Sequence, residues 1–288
     1  MKQMSANFKQ RLIVSLLSIC VLIATIYLST LGIFKLVFLV LAAAMIGAAL
    51  WEFYHLAKLK GYAPLMWTGI ILSLLYVVAI FLSTQTKMAS QFPLAALGAM
   101  LLIPFLYYLG KGRDPFINLA VTFFGFFYLT LPLSCLIYVN YFFPPEASED
   151  GRWWLFYLIA VTKMTDIGAY CFGKLFGKHQ LTPYISPKKT WEGALGGVAA
   201  AVVMSIGFYV FNLFFRNSAD FSFFQSLWMG VLLSILAQLG DLTESLLKRD
   251  LGAKDSNQLP GLGGILDMLD SLVFTIPFLY IFLKMAYT

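Results

Sequence analysis

Residues 64–83 read PLMWTGIILSLLYVVAIFLS, twenty residues without a single charge. A bilayer's hydrocarbon core is about 30 Å thick and takes roughly twenty apolar residues in a helix. The stretch therefore reads as a membrane span, and the same pattern recurs on both sides of it. Spans are expected near 12–31, 33–54, 64–83, 92–109, 116–143, 153–173, 193–215, 223–244 and 265–285. The fold class is an all-α, polytopic integral membrane protein with about nine transmembrane helices. A tight turn at Gly32 parts the first two spans, and Pro132, Pro144 and Pro145 predict a kink and an early exit from the long fifth run. The first span reads as a retained helix rather than a cleaved signal, because its apolar stretch is too long and lacks a small-residue cleavage site.

Composition agrees. Of the 288 residues 60% are hydrophobic and 12% are charged, against about 25% charged in a soluble domain. So few charges exclude a soluble enzyme, a disordered chain and a nucleic-acid-binding domain. Cys20, Cys135 and Cys171 all lie in apolar runs, so no disulfide framework is readable. Two distant histidines, His55 and His179, argue against a His-based metal site.

Orientation follows from the basic residues. With the N-terminus in the cytoplasm, the twenty Lys and Arg divide fourteen to five, with Lys163 left inside a span. The cytoplasmic set includes Lys58, Lys60, Lys174, Lys178, Lys188, Lys189, Lys248, Arg249 and Lys254, whereas Lys35, Lys87, Arg152, Arg216 and Lys284 face outward. Nine spans then place the C-terminus outside. Residues 1–150 hold spans one to five, a scaffold with few groups capable of chemistry. Residues 151–288 hold spans six to nine, the cytoplasmic loops 174–192 and 245–264, and nearly all such groups.

An ionisable side chain inside a span is costly and marks a functional candidate. The candidates are Glu52, Lys163, Asp166, Asp241, Glu244, Asp267 and Asp270. Glu52, beside Trp51, Tyr54 and His55, reads as an interfacial anchor. Lys163 and Asp166 are spaced to neutralise each other. Asp241 with Glu244, and Asp267 with Asp270, are i,i+3 pairs facing one loop, and clustered carboxylates repel unless a cation sits between them. Oxygen donors without His or Cys favour Mg²⁺. Thr190 is a plausible N-cap for span seven, and the glycines before span nine let a backbone approach a phosphate. Neither a Walker A loop nor a dinucleotide fingerprint occurs. Carboxylates, lysines and a phosphate-friendly loop at a membrane face suit phosphoryl or nucleotidyl transfer to a lipid.

Two ordered blocks carry a resemblance. One is Ser245-x-x-Lys248-Arg249-x-x-x-x-Lys254-Asp255-Ser256, continued by Pro260-Gly261-x-Gly263-Gly264-x-x-Asp267-x-x-Asp270. The other is Asp166-x-Gly168-Ala169-Tyr170 with Gly173-Lys174 and Gly177-Lys178, then Ser186-Pro187-Lys188-Lys189-Thr190-Trp191-Glu192-Gly193. Together they closely resemble the signature of the CDP-diacylglycerol synthase (phosphatidate cytidylyltransferase) family. The resemblance implies a multi-pass enzyme of the cell or inner membrane, with its site on the cytoplasmic side, that joins CTP and phosphatidate into CDP-diacylglycerol and pyrophosphate. It implies a centre of one or two cations, Mg²⁺ first, on Asp241, Asp267 and Asp270, with Lys248 also catalytic. Asp166, Ser186, Lys188, Lys189, Ser245, Arg249, Lys254, Asp255, Gly261, Gly263 and Gly264 are the implied substrate-binding residues. Its partners would be CTP, phosphatidate and membrane lipid, without nucleic acid, and a homodimer stays open. The chain departs from that signature at Leu262, usually His, and Met268, usually Arg. A CTP-dependent polyprenol kinase, an ion-coupled transporter and a degenerate family member remain as alternatives.

Overall fold

The computed structural model describes residues 20–110, 112, 114–144, 147, 149–215, 221–253 and 264–287. Within them, eight helices are long and apolar enough to cross a membrane, and they coincide with expected spans two to nine. Of the first expected span, residues 20–28 are helical and residues 12–19 lie outside the described region. Gly32 makes the turn foreseen after it, with φ +26°. The helices are α1 (Phe34–Leu59), α2 (Met66–Gln85), α3 (Phe92–Gly110), α4 (Pro115–Gly125), α5 (Leu131–Asn140), α6 (Gly151–Phe176), α7 (Trp191–Phe215), α8 (Phe223–Asp250) and α9 (Ile265–Tyr287).

Three features depart from the sequence expectation. The fifth span is α4 and α5 joined by one π-helical turn, Phe126–Thr130. Pro132 has no N–H to give and its ring crowds the preceding turn, and the widened turn just ahead of it accommodates both. The fold is not wholly helical, because the stretch 174–192 contains an antiparallel hairpin of β1 (Gln180–Thr182) and β2 (Ser186–Thr190). Finally, α8 runs six residues past the expected span end, so Ser245, Lys248 and Arg249 are helical rather than in a loop. Nothing between Gly240 and Gly252 breaks a helix, and Lys248 bonds back to Glu244 one turn earlier.

The chain forms two compact units, residues 1–141 with 251–269, and residues 142–250 with 270–288. In the first, the buried Tyr54 of α1 donates to the Thr122 carbonyl at 2.7 Å. Its ring lies where side chains on Gly69 and Gly125 would stand, so α1, α2 and α4 meet there only because both positions are glycine. Asn118 and Thr122 of α4 accept from the amides of Ala63 and Leu65 ahead of α2. Ser29 and Asn140 form a buried hydrogen-bonded pair, and Tyr141 donates to the Ser29 carbonyl. Burial pushes the Tyr141 phenol up to about 12.

In the second unit, α6 packs closely on α7. A Cβ on Gly168 would stand 2.8 Å from the Gly196 carbonyl oxygen, too near for any other residue. An aromatic cluster of Trp153, Trp154, Tyr157, Phe208 and Phe221 fills the core at the start of α6. Outward, α3 and α7 expose Leu94, Leu102, Val203 and Phe214, as helices do where lipid is the solvent and every backbone bond is internal.

Candidate active site

Three of the carboxylates foreseen in spans six, eight and nine, Asp166, Asp241 and Asp270, gather in the second unit. Asp166 of α6, Asp241 of α8 and Asp270 of α9 are near enough to act on one another electrostatically, and Lys163 and Lys189 act on the same group. Two helices approach there because of Gly240, whose missing side chain leaves room for the Asp270 backbone. Any β-carbon at 240 would drive α8 away from α9 and separate Asp241 from Asp270.

Each acid has a distinct environment. Asp241 takes an ion pair from Lys189 at 2.6 Å. Asp166 meets Lys163 one turn earlier on α6 at 3.4 Å, so the pairing foreseen for these two forms. Asp270 is buried, and one of its oxygens accepts from the Ser271 amide. Glu244 is fully buried and paired with the nearly buried Lys248 at 2.8 Å. Asp267 lies three residues before Asp270 on α9, in the segment that belongs to the first unit.

The hairpin delivers the lysines. Lys188 and Lys189 are consecutive on β2, so their side chains leave opposite faces. Lys189 reaches Asp241 whereas Lys188 is exposed. Ser186 opens the strand, paired with Thr182. The hairpin is braced at several points. Gln180 donates to the Pro187 carbonyl at 3.2 Å, and Arg249 of α8 donates to the Ile185 carbonyl at 3.3 Å. Glu192 accepts from the Lys178 and His179 amides and meets the His179 ring at 2.6 Å. Thr190 caps α7 as expected, its hydroxyl accepting from the Gly193 amide at 3.1 Å.

Of the other expected site residues, Ser245 stands on α8 and Gly264 is buried just before α9. Lys254, Asp255, Gly261 and Gly263 lie outside the described residues, as does Leu262. The donors are all oxygens, the set that suits a hard cation. Among the described residues, no three of His, Cys, Asp or Glu stand close enough to hold an ion as they are. Binding one would draw the Asp241 carboxylate off Lys189.

Sequence reasoning missed the hairpin and the part played by Glu52. Glu52 is no interfacial anchor: it is 1% exposed and holds two backbone amides of α9. A signal was present, since no Lys or Arg stands within a turn of it on α1, which sends its partner elsewhere in the chain.

A carboxylate cluster facing lysines on a bundle of apolar helices has the residue types that the class of lipid-directed phosphoryl and nucleotidyl transferases requires. The particular family is shown by comparison. The model of the cytidylyltransferase family matches residues 9–286, and the chain belongs to that family. It is 33% identical over 287 residues to a phosphatidate cytidylyltransferase of Chlamydia pneumoniae, covering 95% of this chain and 91% of the relative. A protein of the same name from Bacillus subtilis is 33% identical over 281 residues, 97% of this chain and 98% of the relative. One from Staphylococcus haemolyticus is 37% identical over 221 residues, 75% and 78% of the two chains.

Proposed function

We propose that this protein is a phosphatidate cytidylyltransferase, joining CTP and phosphatidate to give CDP-diacylglycerol and pyrophosphate. The observation that carries the chemistry is the meeting of Asp166, Asp241 and Asp270 from three helices, with Lys189 of the hairpin paired to Asp241. The relatives' shared name supplies the substrates. An oxygen of the lipid phosphate attacks the α-phosphorus of CTP, the bond to the oxygen bridging to the β-phosphate breaks, and pyrophosphate leaves. A phosphate monoester has a second pKa of about 6 and is largely dianionic at neutral pH, so no strong base is required.

The difficulty is to bring two polyanions together. Asp241 and Asp270 would hold Mg²⁺, joined on sequence grounds by Asp267. When bound, the ion offsets phosphate charge and polarises an α-phosphoryl oxygen. Lys189, paired with Asp241 at 2.6 Å, would be available to a phosphate oxygen were that carboxylate to hold the cation instead. Lys188 and Arg249 lie exposed on the same hairpin and the adjoining helix, where they can screen the rest. Lys248 is bound to Glu244, which suits it to fixing the end of α8. The spans of residues 1–150 serve as scaffold, and the hairpin faces the cytosol, where CTP is found.

Purified protein supplied with CTP, phosphatidate and Mg²⁺ should release pyrophosphate and form CDP-diacylglycerol in equal amounts. Release of CDP with a phosphorylated lipid alcohol would establish the kinase alternative instead.

A further inference from the structure

The first amides of a helix have no partner within it, and inside a bilayer no water replaces one. A side chain just ahead of the helix normally caps them, but α9 is preceded by Gly263 and Gly264, which have no side chains. The cap comes instead from α1, more than two hundred residues earlier in the chain. One oxygen of Glu52 accepts from the Ile265 amide and the other from the Leu266 amide, both at 2.9 Å. The carboxylate is 1% exposed. All three residues belong to the first unit.

Two bonds from one rigid, planar group to consecutive amides restrain both the axial position and the rotation of a helix start. A single bond would leave the helix free to pivot. The carboxylate also faces the positive end of the α9 dipole. Asp267 follows Leu266 directly in the segment that Glu52 holds, and Asp270 lies one turn further along the same continuous helix.

We propose that Glu52 is a positioning residue for the transfer reaction, a clamp in α1 that sets the register and rotation of α9 and thereby presents Asp267 and Asp270 to the substrates. The proposal rests on the reading that these aspartates serve catalysis.

Glu52→Gln and Glu52→Asp, with Tyr54→Phe as comparator, test it in the full-length protein purified in lipid nanodiscs. Tyr54 is buried two residues away on α1 and bonds the Thr122 carbonyl, so its loss costs stability without touching α9. Glu52→Gln keeps one accepting oxygen but turns an NH₂ group toward the second amide. Its kcat per folded molecule should fall about 10–100-fold, the usual cost of losing a group that orients a ligand side chain. Its KM for CTP should stay within about twofold, and the Mg²⁺ concentration for half-maximal rate should rise. Deuterium exchange in the peptide beginning at Gly264 should quicken about tenfold. Glu52→Asp keeps both oxygens on a shorter arm and should fall between. Tyr54→Phe should lower the melting temperature while leaving kcat per folded molecule and exchange at 265–266 unchanged.

Wild-type exchange at residues 265–266 in both Glu52 variants would overturn the clamp. So would a kcat no lower than that of Tyr54→Phe. Should Asp241→Asn and Asp270→Asn also remain active, the site reading would fail. If those two are inactive while Glu52→Gln turns over normally, only the positioning role is lost.

Discussion

Lys189 and Asp241 stand 2.6 Å apart, and what each does separately is open to measurement. Asp241→Asn and Asp270→Asn preserve shape and remove a charge, so each should lower turnover about 100-fold or more if the carboxylates support transition-state charge. Near-full Mg²⁺-dependent activity in either variant would remove it from the site. Glu244→Gln is the contrast. It weakens a buried pair with Lys248, a change that costs about 3 kcal/mol when one partner of such a pair is lost. The expected loss is in melting temperature and yield, with turnover per folded molecule little changed. Asp166, Asp241 and Asp270 were legible in the sequence as charges in apolar runs. What was not legible is which basic group each would meet: only Lys163 with Asp166 is local, and the Lys189 pairing crosses from hairpin to helix.

At the scale of elements, the hairpin and the α8–α9 contact bring Lys189, Asp241 and Asp270 together. Gly240→Ala places a β-carbon against the Asp270 backbone, and overpacking of this kind commonly costs about 1–3 kcal/mol. Because the displaced helix carries Asp270, the variant should insert into membranes yet lose most of its turnover; wild-type activity would show that α8 and α9 have slack there. Glu192→Ala removes the group that joins the Lys178 and His179 amides and the His179 ring to the start of α7. A loosened hairpin presents Lys188 and Lys189 less well, so the KM for CTP or phosphatidate should rise about tenfold at similar kcat. Unchanged KM would return both lysines to the ordinary role of positive charges at a membrane face. The helices themselves were readable from apolar length alone, to within a few residues. Their ends were not, since α8 continues on a polar face past Asp241 to Asp250. The hairpin left little trace, because its strands are short and rich in Pro, Lys and Thr rather than in alternating apolar residues.

For the whole molecule, the proposed reaction turns on which side of the membrane the hairpin faces. The basic residues point to an inward hairpin and an outward C-terminus, a bias that usually sets orientation when loops are short. One contact agrees with the threading: Lys35, just inside the start of α1, donates to Gln85 at the end of α2 at 2.9 Å, so these two ends share a side. The decisive pair of positions is His179 and Thr288. From α6 onward come α7, α8 and α9, each long and apolar enough to cross; three crossings between the hairpin and the C-terminus would put the two on opposite sides whatever precedes residue 20. A reporter inserted next to His179 should be active only in its cytosolic form, and one fused at Thr288 only in its exported form. Both on one side would mean that a helix of the second unit does not cross. Opposite sides but reversed would put the lysine hairpin away from the cytosol, where CTP could not reach it, and the proposed reaction would lose its nucleotide.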